Sequence, residues 1–218
     1  MREKTYVEDV DRNMYDFRND EKDAYRIKNG LTEDIVEKIS EEKHDPEWMH
    51  DFRLNSLKVY NEMKVPDWGP SIEGLNMDNI ATYVRANTKM KGDWSEVPEE
   101  IKDTFEKLGI PQAERTSLAG VGAQYDSELV YHNVRKEVAE QGVIYTDMES
   151  ALTGPYADMV KEHFMKCVPP TDHKFAALHG AVWSGGSFVY VPAGVHVDIP
   201  LQSYFRLNAP GAGQFEHT

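Results

Sequence analysis

The sequence predicts an α+β protein in which a charged helical part leads into a β-rich last part. Three observations carry this. First, the net charge of −14 is unevenly spread: residues 1–166 hold 35 of the 38 acids and 22 of the 24 bases, whereas residues 167–218 hold three and two. Second, capping residues and apolar residues at helical spacing recur through 31–166. Third, from Phe175 the chain reads FAALHGAVWSGGSFVYVPAGVHVDIPLQSYFRLNAPGAGQFEHT. Short runs of Val, Ile, Tyr and Phe alternate there with Gly and Pro turns, the pattern of a sandwich, barrel or solenoid. The run stops at an incoming strand after a Gly-rich turn. The expectation is a longer protein, or self-association through the open β edge, because unpaired edges are normally covered.

Three segments follow. Residues 1–30 are polar, without a clear period, and read as an extended N-terminal segment. Residues 31–166 read as a helical region with an irregular connector at 64–98, rich in Pro, Gly, Trp and Asn and pinned by Trp68 and Trp94. Residues 167–218 read as the β-part. Thr32 is an N-cap, with Glu33 and Asp34 favoured by the helix dipole and Leu31 and Val36 forming a hydrophobic staple. A second helix starts with Pro46 at N1 and places Met49, Phe52, Leu57, Tyr60 and Met63 on one face. A third follows Pro98, with Ile101, Phe105 and Leu108 inward and Gly109 as its stop. A fourth spans Ser127–Gln141 on Val130, Val134 and Val138. Val143–Tyr145 is a short strand. Asp147 caps another helix, which Pro155 breaks before a last one ends near Lys166.

Composition excludes several roles. No apolar run nears the ~20 residues that span a bilayer, so no membrane is expected. The N-terminus MREKTYVEDVDRNMYDF has no apolar signal core. A single cysteine, Cys167, fits a reducing, cytoplasmic setting. An acidic chain lacks the basic footprint that nucleic acid requires.

The chemical motifs are sparse. Gly120-Val121-Gly122-Ala123 lacks a preceding strand, a third glycine and a following Lys-Ser/Thr, so it reads as a tight turn rather than a phosphate loop. Cys167 alone cannot build an iron–sulfur site, which takes about four thiolates, and reads as a small buried hydrophobe. His196 and Asp198, two apart on one strand face, are a minimal metal pair with no further ligands evident. Across Leu201–Asn208 the alternation is clean: Leu201, Ser203, Phe205 and Leu207 on one side, Gln202, Tyr204, Arg206 and Asn208 on the other. If the second face is internal, Arg206 must be paired. Asp172, Asp198 and Glu216 are too sparse for a carbohydrate-active enzyme's acid pair. That enzyme, an acyl-transfer enzyme, or an inert structural module are the alternative readings.

Three stretches carry a resemblance: KLGIPQAERTSLAGVGAQYDSELVYHN (107–133), EQGVIYTDMESAL (140–152) and KFAALHGAVWSGGSFVYVPAGVHVDIPLQSYFRLNAPGAGQFEHT (174–218). With the region around Trp68, they resemble the N-terminal portion of the SufB/SufD family, scaffolds of the SUF iron–sulfur cluster assembly system. His179 and His217 depart from the family, which has Asn and Arg there. The resemblance implies an N-terminal helical region followed by the first coils of a right-handed parallel β-helix. It implies a non-enzymatic scaffold that accepts sulfur and iron and passes clusters to apo-proteins, with ATP hydrolysed by a partner, SufC. SufD, and SufE or SufU with a cysteine desulfurase, are the other implied partners. An iron–sulfur cluster belongs to the full-length protein, as does reduced flavin in the full complex, and no stable cluster is expected on this chain. The family's Tyr-Phe-Arg-x-Asn stretch matches Tyr204–Asn208, which implies that Arg206 and Asn208 face a sulfur path inside the β-helix.

Overall fold

The computed structural model describes residues 18, 23–69, 71–107, 118 and 120–218. The stop at Leu108 and Gly109 and most of the N-terminal segment lie outside these residues. Near the start, strand β1 (Tyr25–Arg26) pairs antiparallel with β2 (Val84–Arg85). Helix α1 (Glu33–Lys43) begins where its cap residue dictates: Thr32 Oγ1 accepts the Ile35 N–H, with Glu33 and Asp34 in the first turn. It ends at His44 in the left-handed conformation, φ 53°. Helix α2 (Glu47–Glu62) follows, with Pro46 one position earlier than expected, as the N-cap.

Helix α3 (Glu99–Lys107) precedes a three-stranded sheet of order β4-β3-β7. In it β3 (Gly120–Tyr125) pairs antiparallel with β4 (Glu128–Val134) and parallel with β7 (Leu201–Arg206). Between them come a single helical turn, α4 (Lys136–Ala139), strand β5 (Ile144–Asp147), and helices α5 (Met148–Thr153) and α6 (Ala157–His163). Helix α7 (Lys174–Val182) and strand β6 (Ser187–Tyr190) follow, β6 lying antiparallel to β5. Asp147 caps α5 as expected, its Oδ1 accepting the Ser150 N–H at 2.7 Å. Among the described residues no helix is long and apolar enough to cross a membrane.

The β-helix expectation is overturned. The described strands form sheets of two, three and two strands, and β3–β7 is the one parallel ladder among them. Coils of a parallel β-helix would need successive strands stacked in parallel. Here residues 174–182, expected to open the β-part, are helical instead. Ala176, Ala177, Leu178 and Ala181 are strong helix formers, and the His173 ring caps the helix by accepting the Phe175 and Ala176 N–H groups. A continuous apolar run suits a buried helix as well as a strand. Gly180 lets this helix approach α2 closely: a Cβ there would lie 2.6 Å from Ser56 Oγ.

Three smaller expectations also fail. Residues 127–141 form β4 and α4 rather than one helix. Their Val spacing is helical, but Leu129-Val130-Tyr131 is a β-favouring run and Asp126-Ser127 makes the reversal into it. Gly120–Ala123 is a buried strand, not a turn. Trp68 is exposed, its ring edge-on to that of His173, whereas Trp94 does pin the connector by packing on Phe105 and Tyr131.

The core is divided. Ile35, Val36 and Ile39 of α1 meet Leu57 of α2, Tyr83, and Leu178 and Val182 of α7. Ile101 and Phe105 of α3 cover Val121, Ala123 and Tyr125 of β3. Met49, Leu152, Phe164 and Trp183 form a third cluster. Each fully buried aliphatic side chain contributes about 1.5–3 kcal/mol. Charge ties these clusters together. Lys43, buried at the end of α1, reaches Glu128 of β4 and Glu149 of α5, each at 2.8 Å. Tyr83 donates to the same Glu128. Burial pulls the Lys43 ammonium down, but the two carboxylates outweigh it and hold its pKa above the ordinary lysine value.

Arg53 of α2 is wholly buried. Its Nε donates to Asp45 at 2.6 Å, its Nη1 to the Trp183 carbonyl at 2.9 Å, and its guanidinium lies over the Trp183 ring at 4.7 Å. Asp45 Oδ1 and Arg53 Nη2 lack hydrogen-bond partners among the described residues. Removing one member of such a pair strands a buried charge, whereas removing both does not. Arg53→Met is therefore expected to cost about 3–5 kcal/mol of stability, read from the urea midpoint. Asp45→Leu combined with Arg53→Met is expected to recover most of that loss. Additive losses in the double variant would contradict this account.

Candidate functional site

The polar centre of the molecule lies where β3 turns into β4. Gln124 is fully buried in an otherwise apolar strand. Its Nε2 donates to the Asp126 carbonyl at 3.0 Å and its Oε1 accepts the Gly186 N–H at 2.8 Å. Gly185 takes φ +69°, and a Cβ there would fall 2.2 Å from Gln124 Oε1, so this backbone reaches the amide only because it has no side chain. Asp126 takes the left-handed conformation, φ 54°, tolerated by Asp better than by most residues.

From that turn Asp126 holds the end of β7. Its N–H donates to the Arg206 carbonyl at 2.8 Å, and its Oδ1 accepts the N–H groups of Asn208 at 2.7 Å and Ala209 at 2.8 Å. Gln214 Nε2 adds a bond to the Asp126 carbonyl at 2.8 Å. Next to it, Ser127 exchanges bonds with Val84 of β2. Burial pushes the Asp126 carboxyl above its ordinary value. The two N–H groups and the nearby Arg206 charge pull the other way without cancelling the effect.

The residues singled out from sequence are distributed as follows. Arg206 is half-buried beside Asp126, Asn208 is buried, and Phe205 and Leu207 are exposed. His196 and Asp198 contact each other at 3.1 Å, but both side chains are 86% exposed. Cys167 is exposed, which corrects its reading as a buried hydrophobe. Among the described residues no three His, Cys, Asp or Glu side chains converge to hold a metal ion. Sequence reasoning missed Gln124 and Asp126. The available signal was a Gln inside an apolar strand, two residues before an Asp-Ser turn.

One pair was not foreseen as a pair. His179 Nε2 and His217 Nδ1 lie 2.8 Å apart, with the His217 ring packed on Phe164 at 4.3 Å. Both rings border a cavity of about 490 Å³ that also takes in Cys167 and His173. Burial pushes both pKa values down to about 4, with Arg53 adding to the effect on His179 and His179 to that on His217.

The family model described as "SufBD protein N-terminal region" matches residues 33–203. The chain belongs to the SufBD family. The chain is similar to the "Iron-sulfur cluster assembly protein SufB" of Bacillus subtilis (strain 168), 51% identical over 210 residues, and to an "Iron-sulfur cluster assembly SufBD family protein" of Staphylococcus aureus (strain USA300), 52% identical over 210 residues. Each match takes in 96% of this chain and 45% of the relative, so the chain spans about half the length of the curated SufBD relatives it matches. Neither the geometry nor these relatives supports the carbohydrate-active, acyl-transfer or inert-module alternatives.

Two measurements follow. Asn can accept the same N–H groups as Asp126 and tolerates its φ, so Asp126→Asn is expected to stay within about 1 kcal/mol of the parent, and Asp126→Ala to lose about 2–4 kcal/mol. The folded-state pKa of Asp126 is raised, so acidification from pH 7 towards 4 favours the parent over Asp126→Asn. Urea midpoints at both pH values check the pattern. For the histidine pair the sign is opposite. The folded state holds both rings neutral, so stability is retained above the unfolded value of 6.5 and is lost as the pH falls towards about 4. The melting temperature should drop across that window, and less so in His217→Asn; equal drops would exclude the pair as the cause.

Proposed function

We propose that this chain is the N-terminal part of a scaffold on which iron–sulfur clusters are assembled in the SUF system before transfer to apo-proteins. The observation that carries the reading is identity of 51–52% across 96% of the chain to relatives named for that assembly. In this reading the protein is cytoplasmic and is not itself an enzyme. ATP hydrolysis falls to SufC, SufD is the companion subunit, and sulfur comes from a cysteine desulfurase through SufE or SufU. Cluster and reduced flavin belong to the full-length protein and its complex, and iron and sulfide are cargo.

Within the chain, Arg206 and Asn208 are the residues proposed to meet sulfur in transit. A guanidinium offers fixed donors and a permanent charge to a sulfide or persulfide anion. The Asp126 bonds to the backbone at 208 and 209 support this role, because they hold the strand end in one place. The neighbouring Asp126 carboxyl bears on the same charge. A carboxylate beside Arg206 offsets its attraction for anions.

The full-length protein, co-expressed with its sulfur donor and purified without oxygen, tests the assignment through iron and acid-labile sulfide content. Arg206→Ala is expected to lower sulfide per chain about tenfold, on the scale of one lost charge-assisted contact. Arg206→Lys should be intermediate, because it keeps the charge and loses the fork. Parental sulfide content in Arg206→Ala, with an unchanged circular dichroism spectrum, would remove Arg206 from the path.

A further inference from the structure

Residues 85–91, Arg-Ala-Asn-Thr-Lys-Met-Lys, carry three cations and no acid in a chain of net charge −14. Backbone pairing holds this segment at both ends. At one end the Ala24 N–H donates to the Arg85 carbonyl at 2.9 Å, within the β1–β2 pairing. At the other, the Lys91 N–H donates to Val130 at 3.0 Å and the Lys91 carbonyl accepts the His132 N–H at 3.1 Å. A groove of about 520 Å³ lies between these anchors, lined by Arg85, Asn87, Thr88, Lys89 and Lys91, with no carboxylate in its wall.

The cations are only partly committed. Arg85 reaches Glu42 at 3.1 Å and Lys91 reaches Glu96 at 3.6 Å, both with solvent-accessible side chains, a setting in which ion pairs are weak. Lys89 is exposed and forms no ion pair among the described residues. Met90, 46% exposed, turns away from the groove into a neighbouring cavity that holds Glu42, Glu128, Asp147 and Glu149.

We propose that this groove docks an extended acidic segment of a partner protein, its carboxylates on Arg85, Lys89 and Lys91. Charge complementarity selects the occupant: three cations across a carboxylate-free wall attract anions, and the Asn87 and Thr88 side chains add hydrogen-bonding groups. Glu42 and Glu96 lie within about one Debye length of any anion seated on Arg85 and Lys91, and they repel a densely charged polyanion such as RNA more than a peptide with a few carboxylates.

Fluorescence anisotropy tests this with the full-length protein and a labelled peptide, Glu-Glu-Leu-Glu-Glu-Leu. Saturable binding is expected in about 50 mM salt, weaker by at least about threefold in about 300 mM. Lys89→Glu should weaken it about tenfold, Lys89→Arg should preserve it, and Lys136→Glu, a charge reversal on α4, should leave it unchanged. Affinity of Lys89→Glu within about twofold of the parent would overturn the proposal, as would equal weakening by Lys136→Glu. So would full displacement by about 5 mM inorganic phosphate, or tighter binding of a labelled hexauridylate than of the peptide.

Discussion

The turn at Asp126 is the constraint on which the arrangement of sheets depends. One residue in a left-handed conformation reverses β3 into β4, fixes the end of β7 through two N–H groups, and receives the Gln124 and Gln214 side chains. β3 and β7 are separated by a long stretch of chain, so their parallel pairing has no local turn to set its register. Asp126 supplies what a hairpin would otherwise provide, because its bonds to Asn208 and Ala209 can form in one register only. The cost is a buried carboxyl that resists ionisation.

The helical frame was legible in the sequence where capping chemistry was explicit. Thr32 and Asp147 each announce a helix start by a side-chain cap, and each lies where that mechanism places it, while Pro98 directly precedes α3. The β-part was less legible for an identifiable reason. Residues 174–182 are apolar throughout, and an unbroken apolar run carries no period to separate strand from helix. The decisive group is the His173 ring, an uncommon cap. The valines at 130, 134 and 138 misled in the opposite direction, since a four-residue spacing of β-branched residues also fits a strand followed by one helical turn.

The candidate site was legible in part. Arg206 and Asn208 could be singled out because a cation and an amide stand in an alternating strand. Their environment could not, because Asp126, which bonds to the backbone at 206 and 208, is about 80 positions away. The same limit applies to His179 and His217. They lie 38 positions apart and touch, a contact that no local pattern announces.

Arg53 has a consequence for how the chain comes to be made. Its anchoring carbonyls, at Ala181 and Trp183, lie 128 and 130 residues downstream. At about 5–20 residues per second, ribosomal synthesis supplies them roughly 7–25 s after the α1–α2 pair emerges. During that interval the guanidinium that ends up sealed from water has only Asp45 to meet and stays hydrated. The helical pair therefore leaves the ribosome unable to complete the buried site around Arg53 until α7 and Trp183 have been made.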